Sequence, residues 1–438
     1  MHCKIKTPIY GLLFSLVFCL GYASAQETVE VESPQKKDAQ PASSKLAWPQ
    51  WRGPTRDGKV PAGTPAWPEK IDESNLKEIW RKELQPSYSG PILSKDLVFT
   101  TETRNKKMES VTAFDRKTGD KKWDTVWIGS IQVPFFAKVN GDWIRSTPAF
   151  DGESLYVAGM RDVLVCINAE DGEEKWRVDF VNELGTKVPD FGFVCSPMLS
   201  GEFVYVQAGA SFVKLSKSDG KIVWRTLQDR GGMMGSAFSS PVVTELGGKR
   251  QIVVQTREAL AGVDDQSGDV LWTKNIEAYR GMNILTPTIY KNSVFTSAYG
   301  GNSQLFDVSM GSDNFSINEN WNNPASGYMS SPVVIGDHIY MHLRNQRFTC
   351  IDMKTGESKW TTKPHGKYWS MVANGDRILA LDERGDLLLI RANSEKFDVI
   401  ETRKLGGGPS WGHLAVDGTE LYVRELKSLV AYRWETAE

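Results

Sequence analysis

One short phrase recurs along this chain and constrains its fold more than any other feature. It runs from an acidic or polar residue through Thr, Ser or Asp and then Gly to a Trp four positions later. The full copies are Asp115 to Trp123, Asp264 to Trp272 and Asp352 to Trp360, with Gly119, Gly268 and Gly356 at the turn. Looser copies run from Asn168 to Trp176 and from Ser216 to Trp224. The tryptophans at 123, 176, 224 and 272 lie 53, 48 and 48 residues apart. A period near 50 residues marks a stacked or closed array of small supersecondary units.

From Leu76 onward, short β-branched and aromatic runs alternate with turn signals, and no helical period is sustained. Six units open on a Ser/Thr-Pro step, ending at Pro91, Pro148, Pro197, Pro241, Pro287 and Pro332. Two more open without proline, at Trp369-Ser-Met371 and Trp411-Gly-His413. Each opening is followed by a strand, a Gly/Asp/Asn turn, a second strand, a third that runs into the Asp…Gly turn, and a fourth that begins at the Trp. Four antiparallel strands repeated radially are the blades of a β-propeller. The eighth unit ends after its third strand, Ser428 to Trp434, so its fourth must come from elsewhere. Asn75 to Leu84, carrying Trp80, reads as that missing outer strand. The expected architecture is all-β, an eight-bladed propeller over 75–438 closed by an N-terminal strand.

The chain before residue 75 divides into three pieces. Residues 1–25 read as a cleaved secretion signal: Lys4 and Lys6, an apolar run from Ile9 to Tyr22, then Ala23-Ser-Ala25. Bulky Phe18 before Cys19 argues against a lipid anchor. Residues 26–46 are polar and charged with few large apolar side chains, the composition of a disordered linker. Residues 47–74, opening on Trp48-Pro-Gln-Trp51-Arg-Gly-Pro54, read as an extension packed on the propeller. The predicted compartment is the periplasm or the cell exterior. Removing the signal leaves Cys166, Cys195 and Cys350, each inside an apolar strand pattern. They read as buried small hydrophobes, with a Cys166–Cys195 bridge as the alternative.

The Asp-x-x-Thr-Gly-x-x-x-Trp phrase resembles the tryptophan-docking motif of the pyrroloquinoline quinone (PQQ) repeat family of eight-bladed propellers. The likeness covers about 75–438 and is strongest to compact members of the barrel-assembly BamB type. The leader also resembles that of exported PQQ-binding-like β-propeller repeat proteins of planctomycete-type bacteria. In such a fold Trp80, Trp123, Trp176, Trp224, Trp272, Trp321 and Trp360 are expected to wedge between blades and donate to main-chain carbonyls. The unit around Asp307 to Trp321 has a degenerate turn, and the seventh has Val399-Ile400 where Trp would stand.

Catalytic signals are sparse. The five histidines include one in the signal, and His338 and His342 lack a third ligand. Gly408-Pro-Ser410-Trp-Gly412 matches a hydrolase elbow string but lies in an inter-blade loop rather than a strand–turn–helix setting. The family name raises a PQQ-dependent alcohol or polymer dehydrogenase holding PQQ with Ca²⁺. No vicinal cysteine pair, haem motif or acidic cage accompanies that reading. The main reading is non-catalytic, with no catalytic residue, metal or cofactor assigned. It is a monomeric envelope scaffold or ligand-binding module for envelope proteins, peptides or glycans. A net charge of −2 without a basic block gives no footprint for nucleic acid, and no apolar stretch after the signal is long enough to span a bilayer.

Function should lie where the repeats disagree, in the loops that enter the innermost strands. These carry Tyr88, Trp143, Arg145, Asp190, Phe238, Arg280, Asn283, Tyr328, Trp369, Trp411 and His413. Aromatics beside Arg and Asn suit a peptide, a glycan or a flat ring. The same residues could instead plug the channel.

Overall fold

The computed structural model describes residues 47–236 and 238–435, so the expected signal (1–25) and linker (26–46) lie outside the described residues. Eight four-stranded antiparallel sheets follow one another along the chain. Blade one comprises Ile92–Leu93, Leu97–Arg104, Met108–Asp115 and Lys121–Ile128. Blade eight contributes Ala415–Asp417, Glu420–Glu425 and Ser428–Trp434, and its outer strand is Leu76–Glu83 from the other end of the chain. The N-terminal strand closes the ring.

Alternation along each strand builds the core. In blade two, Leu155 and Val157 face Phe99 and Val111 of blade one, whereas Tyr156 and Ala158 face Val204 and Val213 of blade three. Each blade is apolar on both faces through its inner and middle strands. Outer strands such as Glu174–Asp179 leave every residue exposed or half-buried. Burying a period-two strand on both sides requires a neighbour on both sides, and a closed ring supplies it.

A β-bulge recurs in every outer strand, one residue before the Trp position. Lys122, Lys175, Val223, Leu271, Asn320, Lys359, Ile400 and Ile79 are each skipped in the pairing. A bulge bends and twists its strand and re-aims the next side chain. Here it turns the indole onto the following blade. Trp80 donates to the Arg116 carbonyl at 2.8 Å, Trp123 to Ala169 at 3.1 Å, Trp176 to Lys217 at 2.8 Å and Trp224 to Asp265 at 3.3 Å. Trp321 and Trp360 reach the Met353 and Asn393 carbonyls at 2.8 and 2.9 Å.

The turn glycine lies beneath the neighbour's indole. A Cβ on Gly119, Gly172, Gly220, Gly268 or Gly356 would come within 2.6–2.8 Å of the ring of Trp80, Trp123, Trp176, Trp224 or Trp321. The motif Asp fastens the turn: Asp115 Oδ1 accepts from the amides of Lys117 and Thr118, and Asp352 Oδ1 from Lys354 and Thr355.

Two seams depart from the rule, each for a stated reason. Trp272 faces blade five, whose hairpin turns at Gly311–Asn314 without the motif, so its N–H goes to Gln251 Oε1 at 2.5 Å within its own blade. In blade seven the register places Glu401, not Val399 or Ile400, opposite Leu389 at the Trp position. Blade eight has no third-to-fourth-strand hairpin, because its fourth strand is Leu76–Glu83. Glu401 instead accepts from the amides of Ile71 and Asp72, and Trp67 stacks on Trp434 at 5.8 Å. Cys166, Cys195 and Cys350 are free and buried, which corrects the alternative of a Cys166–Cys195 bridge: both thiols pack as apolar groups in the core between blades two and three.

The platform role of the motif glycine separates it from ordinary turn glycines. Gly336 has φ 59° with nothing near its missing Cβ, whereas Gly356 has φ 71° and lies under Trp321. Gly336→Ala is expected to cost only backbone strain, about 1 kcal/mol. Gly356→Ala must also displace an indole and should lower the urea midpoint clearly further. Equal midpoints for the two variants would remove the platform account.

Candidate functional site

Antiparallel succession sends the Asp…Gly turns to one face of the ring. The loops entering the innermost strands lie on the other face, together with the turns between second and third strands. This second face is the mouth. Beneath it the Ser/Thr-Pro steps stitch blades together. The Gly90 amide donates to Thr147 Oγ1, Thr147 to Ser196 Oγ, Ser196 to Ser240 Oγ and Thr286 to Ser331 Oγ, at 2.9–3.3 Å.

The leader occupies the axis. Trp48 bridges Leu93 of blade one, and the Pro49 carbonyl accepts from Phe150 of blade two. Trp51 donates to Thr286 Oγ1 of blade five at 3.0 Å and meets His413 of blade eight edge-on at 4.9 Å. Arg56, 3% exposed, donates to the carbonyls of Ser196, Pro197 and Pro241 in blades three and four at 2.9–3.1 Å. Arg52 donates to the Pro332 carbonyl of blade six, and Val60 pairs with Ala373 of blade seven. Every blade is therefore touched, at its inner strand or at the step entering it, by one segment of 13 residues, Trp48 to Val60. Neither guanidinium has an ion-pair partner among the described residues. Burial lowers Arg52 to about 10 and Arg56 to about 9, leaving both charged near neutral pH. This donor set suits carbonyl or anionic groups and not a Ca²⁺ ion, which requires oxygen ligands.

Above the half-buried Trp51, aromatic rings run around the mouth. Tyr88 stacks on Trp411 at 4.4 Å and 17°, and Trp411 meets Tyr368 at 4.3 Å. Tyr368 leads to Tyr328 at 5.9 Å, Tyr328 to Tyr299 at 4.4 Å and Tyr299 to Tyr279 at 6.0 Å. A second run joins Phe136, Phe191 and Phe238 at 6.2 and 5.7 Å, with the Arg257 guanidinium over Phe238 at 5.3 Å. Tyr368 and Arg280 both hold φ 55°. Such values are outliers for bulky side chains and gather at functional sites.

Hydroxyl partners separate these tyrosines from four inside the blades. Tyr156, Tyr205, Tyr290 and Tyr422 each hydrogen-bond a carboxylate. Among the described residues, the hydroxyls of Tyr279, Tyr299, Tyr328 and Tyr368 make no such bond. Burial, then the neighbouring phenols of Tyr368 and Tyr299, push Tyr328 up to about 12, so it remains a neutral donor.

The predicted site residues fall into two groups. Tyr88, Tyr328 and Trp411 line the arc. Arg145 lies over Tyr88 at 5.9 Å, held by the carbonyls of Trp143 and Gly141 at 3.2 and 3.0 Å. Phe238 belongs to the second run, Asp190 is half-buried beside Gly232, and Arg280 is exposed over Tyr279 at 5.2 Å. Three others lie below the surface. Trp369 is buried against His342 and Phe348. Asn283 is buried and brackets the Arg257 and Ile276 carbonyls. His413 is buried against Trp51, and burial lowers it to about 3, so it stays neutral. Sequence reasoning missed Tyr299 and Arg344. Both sit in turns between second and third strands, which strand alternation returns to the mouth.

The family described as outer membrane protein assembly factor BamB matches residues 68–125 and 107–362. BamB of Yersinia pestis is 20% identical over 259 residues, covering 56% of this chain and 63% of that protein. BamB of Escherichia coli strain K12 is 23% identical over 394 residues, covering 77% of this chain and 95% of that protein. The crystal structure of BamB from Moraxella catarrhalis superposes with a TM-score of 0.59 at 15% identity, over 82% of this chain and all of that one.

A buried carboxyl near the mouth makes stability depend on pH. Glu109, fully buried, accepts from Trp127 Nε1 and the Met160 amide, and burial raises it from 4.5 to about 7. The folded state therefore holds a proton that the unfolded chain releases above pH 4.5. This contribution to stability is lost as pH rises from about 4.5 to 7. Glu109→Gln, neutral at every pH, is expected to flatten that decline in urea midpoints measured from pH 5 to 8. An unchanged slope would place the ionisation elsewhere.

Proposed function

Because the chain belongs to the family of the outer membrane protein assembly factor BamB, we propose that it is an exported, non-catalytic binding scaffold of the cell envelope. Its aromatic mouth holds a segment of an envelope polypeptide or polymer. The observation that carries this reading is the arc from Tyr88 through Trp411 to Tyr279, in which Tyr279, Tyr299, Tyr328 and Tyr368 combine aromatic faces with hydroxyls that bond no carboxylate among the described residues. Aromatic side chains with a polar tip dominate binding hot spots because they bury area with little conformational freedom to lose. On the same face Phe135, Phe136 and Val139 stand 83%, 50% and 89% exposed, and Met233 and Met234 are exposed in another entry loop, apolar surface suited to a protein partner. The leader seals the axis, so a ligand would lie across the mouth rather than inside the channel.

Photocrosslinking from position 368 in intact envelopes tests the reading. One defined ligand should be captured, and Trp411→Ala should weaken its binding by about tenfold or more with the melting temperature unchanged. Incubation with PQQ and Ca²⁺ tests the runner-up, a PQQ-dependent alcohol or polymer dehydrogenase. A quinone band retained through gel filtration, with dye reduction by alcohols, would overturn the scaffold reading.

A further inference from the structure

A cleft of about 390 Å³ opens on the mouth face between blades five and six. That lies within the range of small-ligand sites, roughly 300–1,000 Å³. One wall is the Gly300-Gly301-Asn302 turn. The opposite wall is Leu343-Arg344-Asn345, and Ser326 closes one end. No Asp or Glu lines it.

Arg344 is the charged group of the cleft. It is exposed, has no ion pair and no side-chain hydrogen bond among the described residues, and lies over the Tyr299 ring at 5.3 Å. Arg280 repeats the arrangement over Tyr279 at 5.2 Å, also without a carboxylate partner among the described residues. By contrast Arg81, Arg104, Arg116, Arg377, Arg384 and Arg391 are all paired with acids. The two guanidiniums flank the Tyr279–Tyr299 pair, and the Tyr299 hydroxyl is free.

The amides add neutral hydrogen-bonding capacity. Asn302 uses its Nδ2 on Asn322 and leaves Oδ1 as an acceptor; Asn345 accepts at Oδ1 from Arg347 and leaves Nδ2 as a donor. Gly300 holds φ 71° with the Tyr279 Cβ 2.8 Å from its missing Cβ, so the wall there is bare backbone beside an aromatic side chain.

We infer that this cleft binds a carboxylate-bearing sugar unit of an acidic glycan. The sugar's hydroxyls would meet Asn302 and Asn345, and its carboxylate would meet Arg344, held at the cleft by the Tyr299 ring beneath it, in a two-point contact. A peptide is the weaker fit, because the cleft offers no deep apolar pocket for a side chain: Leu343 is buried and Pro324 and Ala325 present small surfaces. The inference rests on the reading of the mouth face as the binding face. It concerns a subsite distinct from Trp411.

Calorimetric titration of the whole protein with a trigalacturonate, the matching neutral galactotriose and an acidic tripeptide tests it. The uronate should bind at least about tenfold more tightly than the neutral sugar, with affinity falling as salt rises. Arg344→Gln should lose about tenfold or more of that affinity, and Arg344→Lys should recover part of it. Because Arg344 is exposed and forms no ion pair or side-chain hydrogen bond among the described residues, the variants' melting temperatures should move little. Arg391→Gln, which removes a paired guanidinium away from the mouth, should leave uronate binding intact, and capture from position 368 reports on the arc independently of this subsite. Equal affinity for the neutral sugar, indifference to Arg344→Gln, preference for the peptide, or no heat from any probe would overturn the inference.

Discussion

The ring is held by indoles laid on neighbouring turns. Each bulge swings a Trp out of its own blade, each motif glycine clears space beneath it, and a carbonyl beside the turn takes the N–H. One such hydrogen bond contributes only about 1 kcal/mol net. Its value is positional, since the same contact fixes the spacing and tilt of successive blades. A closed ring needs the repeated angle to sum correctly, and a single geometry copied around the circle meets that condition. The exceptions support this view. Where blade five lacks the turn, Trp272 finds a side-chain acceptor, and where blade eight cannot supply one, Glu401 and residues 67–72 bridge the gap.

This division of labour decides where function can lie. The face with the Asp…Gly turns is committed to architecture, because each turn is both a hairpin and a neighbour's docking platform. The mouth carries no such duty. Its loops are anchored by the Ser/Thr hydroxyls one level below, which leaves the residues above them free to differ. That is why Tyr88, Phe238, Tyr328 and Trp411 diverge although they occupy equivalent positions.

The blade count, the closing strand and the outer-rim tryptophans were legible because they repeat, and repetition survives sequence noise. Aromatics at the mouth were legible for the opposite reason, as breaks in the pattern. What escaped was depth and side. Trp369, Asn283 and His413 lie in the same kind of entry loop as Tyr88 and Trp411, and only packing against His342, Ile276 and Trp51 reveals that they point inward. Tyr299 and Arg344 looked like ordinary turn residues. Counting strand reversals within one blade returns their turns to the mouth, a signal present in the sequence but carried by topology rather than residue type. The Val399-Ile400 reading failed by one bulge, since an extra residue moves the docking position to Glu401.

The leader and the blade openings form one interaction written in two parts of the sequence. Proline has no N–H, so a Ser/Thr-Pro step at the axis presents acceptors without a donor in between. Carbonyls of Ser196, Pro197, Pro241 and Pro332 face the channel, and buried carbonyls need partners. Arginine carries five N–H groups in a rigid fork, more donors than any other side chain. Two of them, on left-handed backbone at Arg52 and Arg56, reach four carbonyls in three openings across the ring. A channel lined by such steps selects a donor-rich plug, and Arg52 and Arg56 of the leader supply it.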